Sequence, residues 1–220
     1  LDMKIGIPIY ASTYLASMNY EAVDFLRKLG VKRVILERQV SLREIGEIVN
    51  HRRGEVEIEV FVHGPGCSNI NVNCYGCSGS VVKPTKADYK GLVTPTCRVM
   101  YDVYRLYRGK MKRMGVVPIL DAYSFCSLCH LQELVKTGIA GIKIVGRDGP
   151  PFYQVLTTKI YRELVDLLEE GNLMLFKKRL QSLKSRSDIS AWALHVTIPE
   201  ACREGRCYYS PFFHRPYNIQ

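Results

Sequence analysis

Cysteines are the residues of this sequence best able to do chemistry, because six of its eight lie in the middle of the chain: Cys67, Cys74, Cys77, Cys97, Cys126 and Cys129. Thiolates are soft donors, and four of them around one point hold an iron–sulfur cluster or a structural zinc ion. A single intracellular cysteine is usually just a small buried apolar residue. Six in one stretch favour ligation for some of them. The remaining pair, Cys202 and Cys207, fits either metal binding or free thiols.

A disulfide scaffold is the competing explanation for many cysteines. Such scaffolds are small, secreted and loop-rich, whereas this chain has 220 residues with clear helix and strand periods. The N-terminus shows no apolar signal-peptide core, and no run approaches the roughly 20 apolar residues of a membrane span. We therefore expect a cytoplasmic protein with reduced thiols and no membrane partner.

The net charge of +10 and the pI near 9.2 favour polyanionic partners. Five cations follow one another closely between positions 105 and 113, interleaved with three tyrosines. Because basic side chains track phosphates while aromatic rings stack on bases, this run predicts an RNA-binding surface. A solvated hairpin is the alternative. The residues are Arg105, Arg108, Lys110, Lys112 and Arg113, with Tyr101, Tyr104 and Tyr107.

Three further polar residues fall at the carboxyl ends of predicted strands, namely His63, Arg38 and Arg147. Sites in parallel α/β folds are built at that end of the sheet. The planar arginine fork suits a carboxylate or phosphate, so a small carboxylate co-substrate is an expected partner. A core histidine and ion-paired arginines are the alternatives.

These residues are positioned by alternating strands and helices. Strands are predicted over residues 5–11, 31–37 and 55–64, with helices over 17–29 and from Ser41 onward. Ser41 followed by Glu44 is a capping box. The alternation predicts an α/β fold with a parallel sheet.

The pattern breaks over residues 64–121, which we interpret as an inserted Cys-rich hairpin segment. It resumes with a helix over 128–136, a strand over 141–147 and helices over 151–170 and 173–183. We expect residues 1–170 to form half of a barrel, and residues 171–220 a C-terminal helix and irregular tail. A closed (β/α)₈ barrel needs eight strands, and half a barrel exposes its edges. Another chain or an N-terminal half is therefore expected to complete the sheet.

Three stretches of the sequence together resemble the collagenase-like peptidase family, the unclassified peptidase family numbered thirty-two. They are VKRVILERQVSLREIGEI, EVEIEVFVHGPGC and GIAGIKIVGR. Members of that family typically have a strand ending in Arg before Ser-Leu and a helix, a strand ending in Phe-Val-His-Gly, and a Cys-x6-Cys pair. The resemblance covers most of residues 5–165.

The resemblance implies a TIM-like (β/α) barrel, of which this chain carries the C-terminal half, and a [4Fe–4S] cluster as cofactor. Matched by position, the ligands are Cys67, Cys74, Cys97 and Cys126, with Cys77 and Cys129 as substitutes for the third and fourth, and zinc as the alternative metal. The family includes oxygen-independent hydroxylases of RNA bases and of a ubiquinone precursor, with prephenate as the proposed oxygen donor. His63, Arg147 and Arg38 are the expected catalytic residues.

Some positions depart from the family pattern, including Gln39, Val72 and Val145, where the family has Glu, Gly and Glu. Two alternatives to a hydroxylase therefore stay open. One is a peptidase, although no set of nucleophile, base and orienting group is recognisable. The other is a non-catalytic, cluster-bearing subunit that completes the barrel of a partner.

Overall fold

The computed structural model describes residues 6–52, 56–65, 100–118, 124–146, 151–185, 190–192, 196–197, 202 and 207–209. Its strands are β1 (Tyr10–Ala11), β2 (Arg33–Ile35), β3 (Glu57–Pro65), β4 (Met100–Tyr107), β5 (Lys110–Pro118), β6 (Ser124–Cys126), β7 (Gly141–Ile144), β8 (Ser190–Trp192) and β9 (Val196–Thr197). Its α-helices are α1 (Tyr20–Lys28), α2 (Leu42–His51), α3 (Leu131–Lys136), α4 (Pro151–Glu169) and α5 (Leu173–Lys184). Short 3₁₀ turns cover Thr13–Leu15 and Leu128–His130.

A parallel sheet forms the centre of the fold, as the alternating pattern predicts. Strand β2 pairs with β1 and with β3, and β3 pairs with β7, all in parallel. The α/β class is therefore confirmed, and the four parallel strands are those that the sequence indicates. Closure into a barrel remains a prediction. Within this sheet one described strand was not predicted from the sequence: β6, which pairs antiparallel with the last residues of β3.

Strand β3 is buried on both of its faces toward its carboxyl end. Consecutive residues Val60, Phe61 and Val62 of β3 are all buried, which is the continuous apolar run expected of a strand packed on both sides. Helices α2, α3 and α4 contribute buried residues to the same core, among them Ile45, Leu134, Ile160 and Leu164.

Helices α1 and α2 each begin directly after a residue whose polar side chain caps the first turn. The Ser41 side chain accepts from the Glu44 N–H, and the Glu44 carboxylate accepts from the Ser41 N–H, so the predicted capping box is confirmed. Helix α1 begins at Tyr20, later than predicted, because the Asn19 side chain caps it by accepting from the Ala22 N–H.

The first predicted strand is much shorter than expected, since only Tyr10–Ala11 of residues 5–11 pair with a neighbour among the described residues. Pro8 lacks the N–H that a sheet ladder needs, which accounts for the late start. The helix predicted over residues 128–136 begins as a 3₁₀ turn and becomes α-helical only at Leu131.

Strands β4 and β5 pair antiparallel around a two-residue turn, near the end of the segment predicted to be a Cys-rich hairpin insertion. The Cys-rich insertion itself stays a prediction. Arg108 and Gly109 both have positive φ, of 47° and 75°, as a turn matched to strand twist requires. The cysteines that precede the hairpin, Cys67, Cys74, Cys77 and Cys97, lie outside the described residues.

The C-terminal region shares the core of the sheet. Phe176 and Leu183 of α5 are buried in it, as is Tyr208. Arg179 of α5 forms an ion pair of 2.7 Å with Glu163 of α4. Among the described helices none is long and apolar enough to cross a membrane.

Candidate functional site

His63 lies near the carboxyl end of β3 and is buried, with 2% of its surface exposed. It sits directly opposite Cys126 in the antiparallel pairing of β3 with β6. Tyr153 and Tyr161 of α4 flank the imidazole, with ring centroids 6.0 and 5.5 Å away. The expectation that His63 stands at a strand end is met, and the structure adds two tyrosines and a cysteine to its surroundings.

The Tyr161 hydroxyl links three segments at this point. It donates a hydrogen bond of 2.7 Å to the Val62 carbonyl and accepts one of 3.2 Å from the Ser127 N–H. Nδ1 of His63 lies 3.3 Å from the same oxygen. Burial raises the pKa of Tyr161 well above its usual value, so the phenol keeps its proton.

These bonds assign the tautomer of His63. The only proton of the phenol is directed to Val62, so the phenol oxygen acts as an acceptor toward the imidazole. In the neutral ring Nδ1 then carries the hydrogen, and Nε2 is the basic nitrogen. The arrangement therefore suits proton transfer or ligation at Nε2.

Close backbone packing holds the end of β3 against β7. Gly64 has a φ of +107°, and a Cβ at this residue would stand 2.5 Å from the Val145 carbonyl oxygen. The His63 carbonyl accepts from the Val145 N–H at 2.8 Å. Only glycine fits this conformation and approach without strain.

Two tyrosines of the C-terminal tail, Tyr208 and Tyr209, form hydrogen bonds with the backbone of β3. Tyr208 donates a hydrogen bond of 3.1 Å to the Gly64 carbonyl, and Tyr209 donates one of 2.6 Å to the Phe61 carbonyl. Both side chains are buried, and burial raises the pKa of Tyr209, so its phenol also stays protonated. Sequence reasoning missed both residues, because no local pattern links positions 144 or more apart.

Arg38 follows β2 and is half-buried, with its guanidinium 4.0 Å from the centroid of the Phe61 ring. Lys143 of β7 approaches the same ring, at 5.6 Å. Two cations therefore lie over a residue that stands two positions before His63. Arg147, the other predicted arginine, lies outside the described residues.

Four cysteines can be placed: Cys126, Cys129, Cys202 and Cys207, none of them in a disulfide. Cys126 is buried beside His63. Within the described part of the chain, no group of three or more His, Cys, Asp or Glu side chains is already arranged to hold a metal ion. The predicted ligand set of Cys67, Cys74, Cys97 and Cys126 is described only at its last member, and its role stays a prediction.

The pairing register of the hairpin sorts the predicted RNA-binding residues onto two faces. Arg105 stands opposite Lys112, and Tyr107 stands opposite Lys110, so these four side chains share one face. The Arg108 guanidinium lies 5.3 Å from the centroid of the Tyr107 ring. We call these five residues the basic face.

Other predicted members of the run are directed elsewhere. Tyr104 stands opposite Arg113 on the second face of the hairpin, and Arg113 donates to Asp102 at 2.7 Å. The structure therefore brings together four of the five predicted cations and separates Arg113 from them. Tyr101, at the base of the hairpin, is exposed.

Comparison with known proteins identifies relatives over most of the chain. The family model described as peptidase family U32 matches residues 2–197. The chain is 30% identical over 203 residues to an uncharacterized protease of Methanocaldococcus jannaschii, covering 85% of this chain and 47% of that protein. It is 30% identical over 198 residues to the tRNA hydroxylation protein P of Helicobacter pylori, covering 84% and 46% respectively.

A further relative is the 23S rRNA 5-hydroxycytidine C2501 synthase of Escherichia coli, which is 27% identical over an alignment of 180 residues, covering 78% of this chain and 26% of that protein. The chain spans about half the length of the first relatives named above. No solved structure matches it significantly. The extent of the family match leaves one conclusion about identity: the chain belongs to peptidase family U32.

Proposed function

We propose that this chain takes part in the oxygen-independent hydroxylation of an RNA base. RNA is held on the basic face of the hairpin, and the chemistry takes place at the carboxyl end of the parallel sheet beside His63. Relatives named for tRNA hydroxylation and for 5-hydroxycytidine synthesis in rRNA support the reaction class. The observation that supports RNA binding most directly is that two cations, Arg105 and Lys112, lie opposite each other on the basic face.

Like charges directly opposite each other weaken a β-ladder. Arg105 and Lys112 nonetheless occupy opposite positions, and neither makes an ion pair within the described residues. A phosphate placed between them removes the repulsion. Tyr107, exposed on the same face, supplies a ring on which a base can stack.

A [4Fe–4S] cluster is the proposed cofactor, held by Cys67, Cys74, Cys97 and Cys126, with Cys77 and Cys129 as substitutes for the third and fourth ligands. Of these four ligands, the structure describes only Cys126. It fits the role because it is a buried soft donor at the carboxyl end of the sheet, opposite His63. Cys67 follows Pro65, the last residue of β3, by two positions in the sequence. When bound, the cluster supplies one-electron chemistry at this end of the sheet.

The neighbouring side chains have separable roles in this proposal. Nε2 of His63 accepts a proton, because the Tyr161 oxygen holds the ring hydrogen at Nδ1. Arg38, stacked on Phe61, presents a cation for the carboxylate of a small co-substrate, and Arg147 is proposed to act with it.

The open edge of the sheet at β1 is the proposed contact for a complementary half, on the same polypeptide or on another chain. Among the described residues β1 pairs only with β2. Large apolar side chains near this edge are exposed, including Ile7, Ile9, Tyr10, Tyr14 and Leu15. The relatives' greater length is consistent with such a half.

Nucleoside analysis of cellular RNA tests the proposed function. Total tRNA and rRNA from cells with and without the gene are digested and compared by mass spectrometry. We expect one nucleoside heavier by an oxygen atom to disappear on deletion and to return with the wild-type gene but not with His63→Ala. Identical nucleoside profiles with and without the gene would overturn the assignment.

A further inference from the structure

Strands β4 and β5 form a separate two-stranded sheet. Among the described strands, each of the two pairs only with the other. Large apolar side chains are exposed on both faces of this hairpin, including Tyr104, Leu106, Tyr107 and Met111. A two-stranded hairpin by itself is marginally stable in water, whereas three or more strands with an apolar face are stable. An added strand would therefore stabilise the hairpin.

The outer edge of β5 carries features that prevent such an addition. Three cations, Lys110, Lys112 and Arg113, lie within its first four residues. The pairing partners on β5 pass from Arg113 directly to Gly115, so Met114 is an extra residue that forms a bulge. Charged side chains and bulges both disfavour the pairing of an edge with another strand. The edge of β5 is therefore protected.

The outer edge of β4 has none of these features. Met100–Tyr107 is a regular strand of 8 residues, with no Gly, no Pro and no extra residue in its pairing. It carries one anion, Asp102, and one cation, Arg105, and its other side chains are aromatic or aliphatic. A long and regular edge of this composition is a template on which another strand can pair.

We propose that two copies of this chain associate through their β4 edges, with the two strands antiparallel and Val103 of one copy opposite Val103 of the other. The interface is isologous, because the same edge is used by both copies. Counting outward from the central residue, this register pairs the following side chains across the two copies: Tyr101 with Arg105, Asp102 with Tyr104, and Met100 with Leu106.

The side chains of β4 favour this register. Both members of each pair lie on the same face of the sheet, since they are an even number of residues apart. The Arg105 guanidinium can stack on the Tyr101 ring of the other copy, and Met100 packs beside Leu106. Neither charge of β4 stands opposite a like charge, so the edge is complementary to itself.

Registers shifted by two residues are less favourable. Centring the pair on Asp102 places two carboxylates opposite each other, and centring it on Arg105 does the same with two guanidinium groups. Like charges in opposite positions weaken a β-ladder. Centring on Tyr104 places each charge of β4 opposite an aliphatic side chain. The register centred on Val103 is therefore the one that we assign.

The four strands of such a dimer form one continuous sheet. A two-fold axis normal to that sheet puts the same face of both hairpins on the same side. The two basic faces then adjoin and form a single cationic surface. Association through β4 does not require RNA, so the dimer and the proposed function can be tested separately.

Sedimentation velocity on the full chain, over a series of protein concentrations, tests the dimer. We expect a wild-type dimer that dissociates on dilution. Val103→Lys places two cations directly opposite each other, so this variant should be monomeric at concentrations where the wild type is dimeric. Val116→Lys is the matched control, because it makes the same change at an exposed position on β5 and should leave the dimer intact.

A charge-swapped pair of variants separates edge pairing from misfolding. Val103→Glu should also be monomeric by itself, for the same reason. An equimolar mixture of Val103→Glu and Val103→Lys should form heterodimers, because opposite charges then face each other at the two-fold axis. Only folded variants that pair at this residue can restore the dimer.

Four results would overturn the proposed dimer. They are a wild type that is monomeric at every concentration, a Val103→Lys variant that stays dimeric, a mixture of the two Val103 variants that stays monomeric, and a Val116→Lys variant that dissociates as fully as Val103→Lys. A monomeric wild type that binds RNA through the basic face would reject the dimer and leave the proposed function in place.

Discussion

The Tyr161 hydroxyl lies 3.3 Å from Nδ1 of His63, and the two side chains come from a helix and a strand 98 residues apart. The same phenol bonds the Val62 carbonyl and the Ser127 N–H, so it joins β3, the turn after β6 and α4. One buried oxygen therefore fixes both the tautomer of the histidine and the positions of the elements around it.

Tyr161→Phe should destabilise the protein measurably. Removing the hydroxyl leaves the buried Val62 carbonyl and Ser127 N–H without this partner, and each unsatisfied group costs roughly 1–3 kcal/mol. We expect the free energy of unfolding, from denaturant titration, to fall by about 2 kcal/mol or more. Tyr14→Phe, at an exposed phenol, is the control and should change it by less than about 0.5 kcal/mol.

Gly64→Ala should disrupt the end of β3. The new Cβ would meet the backbone of Val145 at 2.5 Å in a conformation that L side chains rarely adopt. Gly46→Ala is the matched control, because nothing lies within 4 Å of its Cβ and alanine is favoured over glycine inside α2 by about 0.5–1 kcal/mol. Thermal unfolding should show a lower Tm for the first variant and an equal or higher Tm for the second. An equal change in Tm for the two variants would contradict the close packing of Gly64 against Val145.

RNA binding should depend on salt through the basic face. Each cation that neutralises a phosphate contributes about −0.7 to the slope of log affinity against log salt for single strands. Replacing Arg105, Arg108 and Lys112 together by Ala should flatten that slope by roughly two to three contacts. Fluorescence anisotropy with a labelled single-stranded RNA at several salt concentrations measures it.

A charge-matched control separates this effect from net charge. Lys159, Lys177 and Lys178 are exposed on α4 and α5, and replacing all three by Ala removes the same charge. For this triple variant, the slope of log affinity against log salt should stay close to that of the wild type. If both triple variants behave alike, or if RNA does not bind at low salt, the basic face is not the RNA-binding surface.

Local signals in the sequence predict much of the fold. The capping box at Ser41 and the turn after Tyr107 depend on neighbouring residues, and both form as expected. The buried run Val60 to Val62 likewise identifies the central strand. His63 could be placed at the end of that strand because its position follows directly from the strand itself.

Long-range features could not be predicted in the same way. The pairing of β6 with β3 and the bond from Tyr208 to the Gly64 carbonyl join segments that share no local pattern. The buried residues of α4 repeat with helical period, which predicts that Tyr161 is in the core but not that its hydroxyl bonds three segments.

The cluster beside His63 is the central claim, and its iron and sulfide content is the most direct test. Iron and acid-labile sulfide are measured on anaerobically purified wild type, Cys74→Ser and Cys126→Ser, together with visible absorption. We predict about four iron and four sulfide per chain in the wild type, with the brown colour lost in both variants. A wild type that holds stoichiometric zinc and no acid-labile sulfide would contradict the account.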